Sequence, residues 1–190
     1  MGGVSAEEPA YAGSIDLDLS VKGLCAQAEG FLAEGFRAIK MKVGRARLSE
    51  DVERVSAMRE LLGPHFPLMA DANMRWSTDQ AISAADALEK FDLFWLEEPI
   101  VPEDLAGHAR LKRETRIPIA TGENLHSVHE FEHLMAYGHV DFPEPDAATL
   151  GGITPWIEVA KIAQDRGLPV TTHVVHDLPA RLLAGGPEPS

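Results

Sequence analysis

Residues 66–73 read Phe-Pro-Leu-Met-Ala-Asp-Ala-Asn, a short apolar run that ends on the carboxylate of Asp71. The same figure recurs on both sides. Upstream, IKMKVG (39–44) carries Lys42 at its end. Downstream, FWLEEP (94–99) ends on Glu97, IATGEN (119–124) on Glu123, FPEPD (142–146) on Asp146 and VTTH (170–173) on His173. The intervals from Lys42 to His173 are 29, 26, 26, 23 and 27 residues. An apolar run before each ionisable residue and a helix-like stretch after it mark repeated βα units. Such units close into a (β/α) barrel, which carries its chemistry on the C-terminal ends of its strands. Six ionisable residues at six successive strand ends would converge on one pocket.

The rest of the chain fits this frame. SIDLDLS (14–20) alternates and predicts a first strand, followed by helical periodicity over 21–36. A helix is predicted over about Leu48 to Leu62, with Val52, Val55, Met58 and Leu62 on one face and Gly63-Pro64 closing it. Ser77-x-x-Gln80 and Ser127-x-x-Glu130 resemble capping boxes. Gly151-Gly152-Ile153-Thr154-Pro155 predicts an N-cap and an N1 proline ahead of a helix that buries Trp156, Val159, Ala160 and Ala163. LPVTTHVV (168–175) is the seventh strand and DLPARLLA (177–184) begins its helix. The expected fold is thus an α/β, TIM-type (β/α) barrel of about seven βα units with no eighth strand. A leader occupies 1–10, and 11–190 forms one partial-barrel catalytic domain. A complete barrel takes about 250 residues, so a fragment of a longer product, or association that covers two open sheet edges, is expected. Pro143 and Pro145 lie within the sixth strand, and Pro143 is expected to bulge it.

Composition narrows the function classes. The chain has 190 residues, 45% hydrophobic, enough for one buried core. Its formal charge of −13 offers no basic stripe for nucleic acid. No apolar run reaches the roughly 18 residues of a membrane span, and no targeting segment is evident. The one cysteine, Cys25, reads as a small buried apolar side chain, and a chain without disulfides fits the cytoplasm.

The chemistry lies at the strand ends. Asp71, Glu97 and Glu123 end three consecutive strands, where three adjacent carboxylates repel unless a cation sits between them. All-oxygen ligation with no cysteine in reach favours a hard ion such as Mg²⁺. Strand alternation puts Lys40 and Lys42 on one face, directed inward. Beside carboxylates and each other, one of them has its pKa lowered toward use as a base. Asp146 and His173 end adjacent strands, and a carboxylate on an imidazole suits general acid/base work. His176 competes with His173 but breaks the interval. His126, His129 and His133 share a helical face beyond the strand end and read as a solvated surface.

Together, K-x-K at 40–42, D-A-N at 71–73, E-E-P at 97–99, G-E-N at 122–124, P-D at 145–146, G-G-I-T at 151–154 and His173 resemble the enolase superfamily, within it the mandelate racemase branch. The likeness runs from about Pro9 to the C-terminus. It implies Mg²⁺ on Asp71, Glu97 and Glu123, removal of the proton α to a substrate carboxylate, and an enediolate stabilised by the metal. It further implies Lys42 as the base on one face, the His173–Asp146 dyad on the other, Lys40 on the substrate carboxylate and Asn73 on the substrate or intermediate. Dehydration of a sugar acid to a 2-keto-3-deoxy acid is the activity so implied. Racemisation or epimerisation of an α-hydroxy acid is the alternative, and a non-catalytic remnant serving only association is a second. The family's N-terminal capping domain is not seen in this sequence, so poor turnover by the 190 residues alone is expected. Relatives of this kind are commonly homo-oligomers, as the open edges also suggest. A nucleotide-binding α/β fold is set aside, because no G-x-G-x-x-G or P-loop follows any strand.

Overall fold

The computed structural model describes residues 10–173. Strands alternate with helices in the order β1 (Ala12–Ile15), α1 (Val21–Glu34), β2 (Ile39–Lys42), α2 (Leu48–Leu62), β3 (Leu68–Asp71), α3 (Thr78–Leu88), β4 (Leu96–Glu97), α4 (Leu105–Glu114), β5 (Ile119–Thr121), α5 (Val128–His133), β6 (Phe142–Pro143) and α6 (Ile153–Asp165). Within each unit, the paired strands follow one another in chain order. The described residues divide into two compact units, 10–100 with 113–119 and 101–112 with 120–173.

In the first unit, β1, β2, β3 and β4 pair in parallel. Ile39, Met41, Leu68 and Ala70 are wholly buried, and the alternate positions carry the functional groups. The register aligns Lys42 with Asp71, and Asp71 with Glu97. One row across three strands therefore ends in an ammonium and two carboxylates. The α2 boundaries agree with the sequence, and Gly63 closes the helix at φ 83°. Its buried face does not. Asp51, Arg54, Val55 and Met58 are the buried residues, so the expected apolar stripe is half polar. The Asp51 carboxylate accepts from the backbone N–H of Gly44 (3.0 Å) and Arg45 (3.0 and 3.2 Å). Arg54 donates to the carbonyls of Leu19, Asp16 (2.9 Å) and Lys42 (3.4 Å).

That guanidinium also explains why the first strand lies earlier than expected. The carbonyls of Asp16 and Leu19 are engaged by α2, and Ser20 caps α1 with its hydroxyl accepting from Gly23 N–H at 3.2 Å. The alternating DLDL is thus a loop, and β1 is Ala12–Ile15. The Ser77 box forms as read, with Ser77 N–H on Gln80 Oε1 at 2.9 Å. Cys25 is only half-buried. Burial raises its thiol pKa, helped by Glu29 and Glu60.

In the second unit, β5 and β6 pair in parallel, Ala120 with Phe142 and Thr121 with Pro143. Pro143 does not bulge the strand. Glu144 N–H donates to Thr121 O at 3.0 Å, so the donor that Pro143 lacks is not one that β5 needs. The expected seventh strand leaves no strand among the described residues. Thr171 N–H donates to Pro143 O at 3.3 Å, and 174–175 lie outside the described residues, as do the 1–10 leader up to residue 9, His176 and the 177–184 helix. α6 buries Trp156, Val159, Ala160 and Ala163 as read, but its cap is Gly152, not Thr154. Gly152 N–H reaches Ala147 O at 2.8 Å, which starts the helix before Pro155. No described helix is long and apolar enough to cross a membrane.

Candidate active site

The carboxylate row of the first unit is buried and paired. Asp71 is 1% exposed, Glu97 0% and Lys40 4%, whereas the Lys42 side chain is 30% exposed. Lys42 Nζ contacts Asp71 Oδ2, and Lys40 Nζ contacts Glu97 Oε1 and lies 3.9 Å from Asp71 Oδ2. The second oxygen of each carboxylate is also held. Asn73 N–H donates to Asp71 Oδ1 at 2.9 Å, and Trp95 Nε1–H donates to Glu97 Oε2 at 2.9 Å. Asn73 and Met74 hold positive φ, 44° and 58°. Met74 N–H donates to Glu98 O at 2.7 Å, which ties the loop after β3 to the end of β4.

Burial dominates the electrostatics of Glu97. Loss of solvation raises its carboxyl to about 7, although Lys40 pulls the other way; Asp71 adds to the rise. One ammonium therefore does not offset the desolvation of this carboxylate beside a second one. A divalent cation held by carboxylate oxygens would, and an all-oxygen donor set matches a hard ion. The residues fit Mg²⁺ on that ground.

The second unit holds the His173–Asp146 pair. His173 Nδ1 lies 3.0 Å from Asp146 Oδ2, and Nε2 lies 3.1 Å from Glu123 Oε2. Asp146 is fixed by its other oxygen, which accepts from Ala148 N–H (2.6 Å) and Thr149 N–H (3.2 Å). Behind it, Pro145 O accepts from Trp156 Nε1–H and Thr172 Oγ1–H, each at 3.0 Å. The tryptophan of α6 and the threonine before His173 thus steady the end of β6. A ring with a carboxylate on each nitrogen is arranged to hold and deliver a proton. Glu123 follows Gly122, whose φ is 137°. A Cβ there would lie 2.6 Å from Phe131 Cε1 and 3.2 Å from Glu144 N, so the turn that presents Glu123 needs glycine.

Each unit brings its own share of the predicted residues together: Lys40, Lys42, Asp71, Asn73 and Glu97 in the first, Glu123, Asp146 and His173 in the second. The histidines 126 and 129 are exposed, and His129 Nδ1 pairs with Glu132 at 2.9 Å. They join no such group. Sequence reading missed Trp95, Glu98 and Glu144. Glu98 and Glu144 are wholly buried. Trp95 and Glu144 each stand two residues before a chosen acid, the spacing that shares a strand face, so that alternation was the available signal.

The chain matches the family described as "Enolase C-terminal domain-like" over residues 23–185, and it belongs to that family. A 3,6-anhydro-alpha-L-galactonate cycloisomerase of Streptomyces coelicolor is 53% identical over 98% of this chain and 52% of its own length. The crystal structure of a racemase from Streptomyces coelicolor A3(2) with bound magnesium superposes with a TM-score of 0.92 at 54% identity, over 94% of this chain and 54% of that one. L-talarate dehydratase from Polaromonas, complexed with Mg and L-glucarate, gives a TM-score of 0.90 at 36% identity, over 94% and 50%. The chain spans about half the length of the relatives it matches. Its parallel βα succession is that of the enolase-superfamily barrels.

Proposed function

We propose that this chain carries the catalytic barrel residues of a Mg²⁺-dependent enzyme that removes the proton α to the carboxylate of a sugar acid and expels the β-oxygen. The observation that carries this reading is the in-register row of Lys42, Asp71 and Glu97, buried carboxylates faced by lysines. Asp71, Glu97 and Glu123 are assigned as the residues that hold Mg²⁺. When bound, the ion polarises the substrate carboxylate and so acidifies the α C–H.

The other roles fall to the protein. Lys40 neutralises part of the charge that grows on the carboxylate. Lys42, the more exposed of the two lysines, takes the α proton on its Nζ. His173, held by Asp146, delivers a proton from the other face. Asn73, whose N–H fixes Asp71, offers its side chain to the substrate. Donation of the His173 proton to a β-hydroxyl gives water and a 2-keto-3-deoxy acid; donation to the α carbon gives the epimer. Residues 11–190 are read as one catalytic domain, with a homo-oligomer as the assembly.

The identity to the cycloisomerase favours a second reading. In a 3,6-anhydro sugar acid the oxygen on C3, β to the carboxylate, is a ring ether. The same proton removal followed by loss of that oxygen opens the ring with every atom retained. The product is then an isomer and no water leaves.

The test is proton NMR in D₂O with Mg²⁺, the chain and a panel of sugar acids, 3,6-anhydro acids and α-hydroxy acids. A 2-keto-3-deoxy product from an open-chain acid identifies the dehydratase, and one from an anhydro acid the cycloisomerase. Deuterium at an otherwise unchanged α carbon identifies a racemase or epimerase. No exchange at any α carbon, by this chain or by a version extended to the length of its relatives, leaves the association module as the reading.

A further inference from the structure

Glu144 is a carboxylate at a strand end to which the reading above gives no task. None of its surface is exposed. Its N–H is fixed on Thr121 O at 3.0 Å, which locks its place beside β5. It lies two residues before Asp146. A Glu144 carboxylate oxygen comes within 4.8 Å of one of Glu123. In the same unit, the two imidazole nitrogens of His173 face Glu123 and Asp146.

The buried carboxylate of Glu144 and the 12%-exposed one of Glu123 repel one another at this range, more strongly than they would in water. The cost is met where a cation binds between or beside them. We propose that Glu144 is a positioning residue of the cation site: its negative charge acts through Glu123, tightens the hold on Mg²⁺ and lowers stability when Mg²⁺ is withheld. This rests on the assignment of Glu123 as a metal-holding residue.

The proposal has a signature of opposite signs. Glu144→Gln keeps the shape and removes the charge. In the 190-residue chain, its melting temperature in chelator should rise above that of the unmodified chain. Its Mg²⁺ dissociation constant by calorimetry should weaken by about 10-fold or more, the effect typical of groups that orient metal ligands. The gain in melting temperature on adding Mg²⁺ should shrink accordingly. A merely structural glutamate gives the reverse, a lower melting temperature in chelator and an unchanged Mg²⁺ constant, and either result overturns the proposal. Glu144→Asp keeps the charge and should hold the constant within about threefold; a loss as large as that of Glu144→Gln sinks the electrostatic account. If the unmodified chain takes up no Mg²⁺, the assignment of Asp71, Glu97 and Glu123 fails, and this proposal with it. If the unmodified chain binds and Glu144→Gln binds equally well, this proposal fails alone.

Discussion

Trp95 and Glu97 share one face of the strand end, and the indole Nε1–H of the first donates to Oε2 of the second at 2.9 Å. Glu97 is thereby gripped at both oxygens, by Lys40 on one and by Trp95 on the other. Trp95 is 4% exposed and is itself wedged edge-on against Tyr11, with ring centroids 5.6 Å apart. Trp95→Phe keeps the ring contact and removes the donor. It should lower stability by about 1–3 kcal/mol, the range for hydrogen bonds to charged groups. It should also weaken Mg²⁺ binding by roughly 10-fold, since the carboxylate is no longer oriented. Calorimetric titration of the variant and the unmodified chain checks both.

Arg54 offers a test remote from the chemistry. Arg54→Met retains the stem but leaves the carbonyls of Leu19, Asp16 and Lys42 without their shared donor. A loss of about 3 kcal/mol is expected. It should appear in a urea titration as a lower midpoint with an unchanged slope.

The pH dependence of stability should carry the mark of His108. It is 1% exposed on α4, and burial lowers its pKa to about 4; Val101's backbone and Asp104 oppose the shift. The unfolded chain binds this proton near 6.5, the folded chain only near 4. Stability from this group is thus complete above about pH 6.5 and lost as pH falls toward about 4, by roughly 3 kcal/mol in all. His108→Gln does not titrate. Between about pH 7 and pH 5 it should lose about 2 kcal/mol less stability than the unmodified chain. Equal losses would remove His108 from the account.

Gly122 should not tolerate a methyl group. Gly122→Ala places a Cβ at φ 137°, against Phe131 and the backbone of Glu144, and should cost about 3 kcal/mol. Adding Phe131→Leu should recover part of that loss by clearing the ring, while the share due to φ remains. Denaturation of the two variants, each against its own parent, separates the terms.

The candidate residues were legible because a parallel βα succession forces them to recur. Each strand is followed, after a short loop, by its helix, so a functional side chain at each strand end keeps the interval, and Lys42, Asp71 and Glu97 do fall in one register row. Helix ends with local chemistry were legible too, as at Ser77 and Gly63. What escaped was set by distant partners. DLDL alternates as a strand would, but a guanidinium from α2 holds its carbonyls. Gly152 starts α6 because its N–H finds Ala147 O, which no spacing announces. In FPEPD two acids stand two residues apart, and the interval selected Asp146 and passed over Glu144.

The Arg54 guanidinium has a consequence for motion. Asp16 and Leu19 lie in the loop after β1 and Lys42 ends β2, yet their carbonyls depend on one side chain of α2. Melting α2 releases all three together. The segment from Asp16 to Arg54 therefore opens as a single cooperative block, and amide protons within it should exchange with solvent at one common rate set by that opening. Lys42 is thus kept in place by the folding free energy of a helix that carries none of the residues assigned to the reaction.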